Sequence, residues 1–140
     1  MRKKLLIVED NTELLELLRL GLKQAGFSIS TATNGLEAIK KARSLVPDLI
    51  LLDLVLPELD GFAVCERLRR EETTATIPII MLTGLNSEFT RYAGLESGAD
   101  EYVTKPASPT QLLPKIQHWL EQSSHAAAKV DESSTDFSKE

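Results

Sequence analysis

The sequence predicts an α/β fold in which five strand–helix units wind into an open, five-stranded parallel sheet with helices on both faces. Three observations carry that prediction. Short apolar runs such as "KLLIV", "DLILLD" and "IPIIMLT" are nearly continuous in Leu, Ile and Val, as strands covered on both faces should be. Stretches of helical period lie between these runs. The connections are short, and right-handed crossovers then leave a parallel sheet as the arrangement that covers every apolar face.

The elements follow in order. "KLLIV", "FSISTA", "DLILLD", "IPIIMLT" and "DEYVTK" are the expected strands. The first helix is expected to bury Leu14, Leu17, Leu18 and Ala25 and to stop at Gly26. A second helix carries Ala38, Ile39, Ala42 and Val46 on one face and ends at Pro47. Val64, Cys65 and Leu68 seed the third, and residues 86–97, closed by Gly98, form the fourth. Ser108 followed by Pro109 reads as the cap and first turn of a fifth. Pro114 falls inside that last helix, where it removes a backbone hydrogen bond, so a kink or a late start is expected there. Leu112, Leu113, Ile116, Trp119 and Leu120 remain to pack.

Composition bounds the function. A chain of 140 residues, 42% hydrophobic and 26% charged, suits one domain with a real core. Its net charge of −5 argues against a nucleic-acid contact from these residues, because phosphate binding needs clustered Lys and Arg. The single cysteine, Cys65, excludes an internal disulfide and suits a reducing compartment. The apolar run Leu5–Val8 is too short for an export signal or a membrane span. A soluble, cytoplasmic domain over residues 1–122 is expected. The Ser-rich segment 123–140 reads as a flexible polar tail or linker stub.

In an open parallel sheet, ligands bind beyond the carboxyl ends of the strands. Glu9 and Asp10 follow the first strand, Asp53 ends the third, Thr83 the fourth and Lys105 the fifth. All five should meet at one edge. Three acids without a cation would repel one another and raise their own pKa values, whereas Mg²⁺, a hard ion that prefers oxygen, suits them. Lys105 adds a positive charge and Thr83 a hydroxyl, and together they suit an oxyanion arriving at Asp53. Asp53 has no local cap or turn role after "LILL", so it is placed to act as a nucleophile.

These motifs resemble the receiver domain of bacterial two-component response regulators. "IVEDN", "DLILLDLVLPELDG", "IPIIMLTG" and "GADEYVTKP" occur in the family's order, and the similarity covers residues 3–121. The spacing is similar too: 43 residues from Asp10 to Asp53, 30 on to Thr83 and 22 on to Lys105. The resemblance implies a flavodoxin-like, CheY-like sheet of strand order 2-1-3-4-5. It implies that Asp53 accepts a phosphoryl group from a phosphohistidine on a histidine kinase or histidine phosphotransfer protein. Mg²⁺ would be bound by Asp10, Asp53 and the backbone carbonyl of Val55, with Glu9 acting through water. Thr83 and Lys105 would hold the phosphoryl oxygens, Thr83 and Tyr102 would form the switch, and the Lys105–Pro106 bond would be cis. The domain would then act on a downstream protein target or output domain and not as a turnover enzyme. A homodimer through the fourth helix, fifth strand and fifth helix is a further expectation.

The remaining polar and apolar residues have simpler roles. Asp60–Gly61 reads as a turn, Cys65 and Met81 as core, and His118 and His125 as solvated, with no metal-ligand partners at suitable spacing. A phosphatase with an aspartyl intermediate would want a second acid two residues after Asp53, where Val55 stands. A receiver-like module working without phosphorylation conflicts with the complete set Glu9, Asp10, Asp53, Thr83 and Lys105. The receiver of a longer regulator, with a DNA-binding or enzymatic output, remains the alternative setting. Two departures from the family pattern stand out. Val55 and Leu85, near the expected phosphoryl site, are apolar and cannot orient an attacking water, so slow self-hydrolysis is expected. Ala107 stands where many members carry Phe, which should loosen the packing under the last helix.

Overall fold

The computed structural model describes the backbone of residues 2–137 and the side chains of residues 2–123. Strands and helices alternate: β1 (Lys4–Val8), α1 (Thr12–Gln24), β2 (Ser28–Ala32), α2 (Gly35–Leu45), β3 (Leu49–Leu52), α3 (Gly61–Arg70), β4 (Ile79–Thr83), α4 (Glu88–Glu96), β5 (Glu101–Thr104) and α5 (Pro109–Phe137). The five strands form one sheet in the order β2-β1-β3-β4-β5, and every pairing is parallel. This is the flavodoxin-like, CheY-like arrangement expected from the sequence. Among the described residues no helix is long and apolar enough to cross a membrane. The segment 123–140, expected as a tail or linker stub, lies outside the described side chains from residue 124 on, and so does His125.

Alternation along the central strands splits the core in two. Leu5, Ile7, Leu49, Leu51, Ile80 and Leu82 face α1 and α5, where Leu18, Leu22, Leu112 and Ile116 cover them. Leu6, Val8, Ile50, Leu52, Ile79 and Met81 face the opposite way, under α2 and α3. Cys65 sits in this second layer, and burial pushes its thiol above the ordinary value. His118 is exposed, its ring edge-on to Trp119 at 5.0 Å.

The expected face of α1 needs correction. Leu15, Leu18 and Leu22 are the buried residues, while Leu17 is 57% exposed and Ala25 is also exposed. Leucine stands at 14, 15, 17, 18, 20 and 22, so two stripes at helical spacing compete. The stripe at i, i+3, i+7 faces the sheet and α5, and Leu14 packs only at its margin. Val46 also leaves its expected face: it caps α2 in the left-handed region with φ 43°. The following Pro47 disfavours another right-handed helical residue, so α2 stops at Leu45.

The last helix does not start late. Gln111 donates its N–H to Ser108 Oγ (3.2 Å) and returns its side-chain oxygen to the Ser108 N–H (2.9 Å), a complete capping box. Pro114 lies inside the helix on its exposed side, as does Thr110, whose carbonyl loses its partner toward water. The fully buried Leu112 and Ile116 hold the other side.

Glu101 ties this helix to β5, a contact the sequence reading missed. Its carboxylate accepts from Lys115 Nζ (2.6 Å) and from Trp119 Nε1 (2.7 Å). Partial burial works against the charge, but these two donors outweigh it and hold the carboxyl below its ordinary 4.5. A depressed folded-state value stabilises above the unfolded value and loses that contribution as pH falls through the folded one. Glu101→Gln is therefore expected to cost about 1 kcal/mol at neutral pH, discounted for partial exposure. In urea titrations the gap from wild type should close below pH 4.5; a gap constant down to acid would show that the charge contributes nothing.

Candidate functional site

The carboxyl ends of β1, β3, β4 and β5 carry the polar residues into one cluster. The sheet ladder extends one residue past β1, with the Glu9 N–H donating to the Ala32 carbonyl (3.0 Å). The Asp53 N–H donates to the Val8 carbonyl (3.0 Å), which puts its side chain beside those of Glu9 and Asp10. Asn11 then caps α1, accepting from the N–H groups of Glu13 (3.1 Å) and Leu14 (3.0 Å). The acid pair is thus held rigidly between a strand and a capped helix.

Glu9 and Asp53 are buried at 2% and 5% exposure, whereas Asp10 is exposed. One oxygen from each of the three carboxylates lies within 4.8 Å of the others. Lys105 reaches in from β5, 2.6 Å from Glu9 Oε1 and 3.1 Å from Asp53 Oδ2. Its peptide bond to Pro106 is cis, and its N–H donates to the Thr83 carbonyl (2.7 Å).

Burial pushes the Glu9 carboxyl above its ordinary value; the Asp53 charge adds to this, and bonds from Lys105 and the Asn11 N–H only partly oppose it. For Lys105 burial works downward, but the hydrogen bonds to Glu9 and Asp53 win and raise it. Three carboxylates against one ammonium leave an excess of negative charge at a partly buried site. That donor set, all oxygen and tightly spaced, fits a hard divalent cation such as Mg²⁺. Val55, the further implied ligand, follows two residues on, with its N–H 3.4 Å from Asp53 Oδ1.

Thr83 is fully buried at the end of β4. It is linked to Tyr102 through the backbone of Leu85: the Leu85 N–H lies 3.5 Å from Thr83 Oγ1, and the Leu85 carbonyl accepts from Tyr102 Oη (2.5 Å). Tyr102 Oη also meets Thr90 Oγ1 (3.2 Å), and the Arg91 guanidinium lies over the Tyr102 ring at 5.4 Å. A Cβ on Gly94 would come within 2.9 Å of that ring, so α4 rests on Tyr102 at a glycine. None of Thr90, Arg91 and Gly94 was singled out from the sequence. A lone glycine inside a helical pattern was the signal available.

Asp60–Gly61 is more than the expected turn. Asp60 caps α3 by accepting from the Ala63 N–H (2.9 Å). A Cβ on Gly61 would stand 2.5 Å from the Asp53 carbonyl oxygen and 2.8 Å from Leu54 Cα. The absent side chain lets α3 start directly against the backbone that presents Asp53.

The chain is similar to known proteins in both sequence and fold. The family model described as "Response regulator receiver domain" matches residues 5–117. The chain is 44% identical over 127 residues to the alkaline phosphatase synthesis transcriptional regulatory protein PhoP of Bacillus subtilis. That match covers 91% of this chain and 52% of PhoP, so the chain spans about half the length of such relatives. A putative response regulator from Chloroflexus aurantiacus superposes with a TM-score of 0.82 at 36% identity, over 86% of this chain and 99% of that one. The receiver domain of the sensor histidine kinase PA1611 from Pseudomonas aeruginosa, described with magnesium coordinated in its active-site cleft, gives 0.81 at 29% identity over 86% and 99%.

Proposed function

This chain belongs to the response regulator receiver family, and from that membership we propose that Asp53 is its phosphoacceptor and that a phosphohistidine protein is its donor. The observation that carries the reading is the placement of Asp53. It is a buried carboxylate at the end of β3, in contact with Lys105 and inside a cluster of three acids.

An Asp53 carboxylate oxygen attacks phosphorus, the P–N bond to the histidine ring breaks, and the ring nitrogen leaves with the bonding pair. Lys105 and Thr83 take the phosphoryl oxygens. Mg²⁺, held by Asp10, Asp53 and the Val55 carbonyl with Glu9 acting through water, would neutralise the charge gathered on the transferring group. The chain's own residues mainly align and neutralise, which is most of what this transfer needs. The proposed switch runs from Thr83 through the Leu85 backbone to Tyr102, and so to α4. It is a shift between two arrangements that the phosphoryl group favours unequally.

The partners we propose are a cytoplasmic histidine kinase or histidine phosphotransfer protein on the donor side and a protein target or output domain downstream. Self-association through α4, β5 and α5 is supported by Phe89 and Tyr92, which are 80% and 65% exposed on α4. PhoP, named as a transcriptional regulator and matched over 52% of its length, supports an output in gene control.

The test is incubation with acetyl phosphate and Mg²⁺ followed by intact mass and mapping of the modified peptide. One phosphoryl adduct on Asp53 that needs Mg²⁺ is expected. No adduct, under conditions that label a known receiver alongside, would sink the reading. The lifetime of that adduct gives a further expected result. Val55 and Leu85 are 58% and 42% exposed and apolar, so neither holds a water in line with phosphorus. Val55→Asn should shorten the phosphoryl half-life about tenfold by offering such a hold; a wild-type half-life of seconds, unchanged by the substitution, would remove the basis for this.

A further inference from the structure

We propose that Gly21 is a positioning residue for Lys105, acting through Pro109, an inference that rests on the phosphoacceptor reading of Asp53. Gly21 lies within α1, 84 residues before Lys105 in the sequence. A Cβ built on it would stand 2.5 Å from Pro109 Cγ and 2.6 Å from Pro109 Cβ. Real Cβ atoms do not approach so closely, and the pyrrolidine ring is fixed to its backbone and cannot swing aside. Gly21 has an ordinary helical backbone and so no conformational need to be glycine, a residue that weakens helices. The seat for Pro109 is the physical reason the structure offers for it.

Pro109 opens α5, and only residues 106–108 separate it from Lys105. The Lys105 backbone is fixed at its other end by its bond to the Thr83 carbonyl. The height of the short connection is therefore set at one end by β4 and at the other by the contact of Pro109 with α1. Ala107, in between, packs into the same apolar layer as Leu18 and Leu22. The small residues at 21 and 107 let the connection lie close to α1, and the Lys105 ammonium meets Glu9 and Asp53 from there. An added methyl at 21 would push the start of α5 outward by roughly 1 Å, a displacement that costs up to about a hundredfold in rate when it reaches a group touching the reacting atoms.

The experiment follows acetyl phosphate labelling of Asp53 over time in wild type, Gly21→Ala, Pro109→Gly, the double variant of these two, Lys105→Ala, and Lys105→Ala with Gly21→Ala. Gly21→Ala should label about tenfold more slowly than wild type while still melting cooperatively. Pro109→Gly should also slow labelling, because it empties the seat. The double variant, in which the new methyl fills part of that space, should return to within about threefold of wild type. In the Lys105→Ala background, adding Gly21→Ala should change the rate less than about twofold, since the group it positions is gone. A wild-type rate for Gly21→Ala, or an equal deficit with and without Lys105, overturns the inference. If Gly21→Ala does not fold, Pro109→Gly carries the test: a wild-type rate, or slowing that persists without Lys105, overturns it. A wild-type protein that takes no label at Asp53 would instead sink the phosphoacceptor reading.

Discussion

Asp53→Asn is expected to abolish the phosphoryl adduct and, with Mg²⁺ chelated, to raise the stability of the fold by about 1 kcal/mol, a melting shift of about 3–5 °C for a domain of this size. The loss of function follows from removing the nucleophilic oxygen. The gain follows from the charge balance. Asp53 is 5% exposed, yet among the described residues its carboxylate has one firm partner, Lys105 at 3.1 Å, and a weak one in the Val55 N–H at 3.4 Å. Lys105 is shared, and its shorter contact, 2.6 Å, goes to Glu9. Two buried carboxylates thus divide one ammonium, with Asp10 adding a third negative charge. Replacing Asp53 by its neutral isostere removes a poorly compensated buried charge and leaves Lys105 to Glu9. Added Mg²⁺ should reverse the order, because wild type keeps a carboxylate ligand that the variant lacks. Thermal melts in EDTA and in Mg²⁺ check both halves. A variant less stable than wild type in EDTA would show that Asp53 is better compensated than its contacts imply.

The same imbalance explains which parts of the molecule were legible from sequence. Asp53 stood out because a carboxylate after four buried apolar residues has no cheap structural role. Glu9, Asp10, Thr83 and Lys105 stood out because strand ends can be read from where apolar runs stop, and a parallel sheet gathers those ends at one edge. The five strands and their alternation with helices were legible because strands covered on both faces leave nearly continuous apolar runs, which amphipathic helices do not.

What stayed hidden depends on distances between segments. The face of α1 could not be chosen among six leucines without knowing where α5 lies. Asp60–Gly61 looked like a turn because the reason for its glycine, the Asp53 carbonyl, belongs to another stretch of chain. Arg69 gave no signal at all. It donates to the carbonyls of Gly98, Ala75 and Ile77 and to Asp100, joining α3 to the approaches of β4 and β5. An arginine at the end of an amphipathic helix reads as solvated until its four acceptors are placed around it. The link from Thr83 to Tyr102 was likewise invisible in detail, because it runs through the main chain of Leu85, whose side chain has no part in it.

Lys105→Ala is expected to act in the opposite sense to Asp53→Asn on stability and in the same sense on chemistry. Removing its ammonium leaves Glu9 and Asp53 buried with no cationic side chain between them among the described residues. Breaking such a pair from one side costs about 3 kcal/mol, toward the low end for buried ion pairs because the lysine side chain keeps some contact with water. Labelling of Asp53 should slow by about 10²–10³-fold, the usual cost of deleting one preorganised donor to a developing oxyanion. Mg²⁺ should recover much of the stability, since a divalent ion can replace the missing charge. It should recover little of the rate, because an ion among the carboxylates does not stand where Lys105 holds the phosphoryl oxygens. Combining the two substitutions tests the charge argument directly. With Asp53 already neutral, losing Lys105 should cost clearly less than in wild type, and the two effects should fail to add by about 1 kcal/mol or more. Additive effects in urea titrations without Mg²⁺ would mean that Lys105 and Asp53 do not neutralise each other, and the electrostatic account of the site would fall with that result.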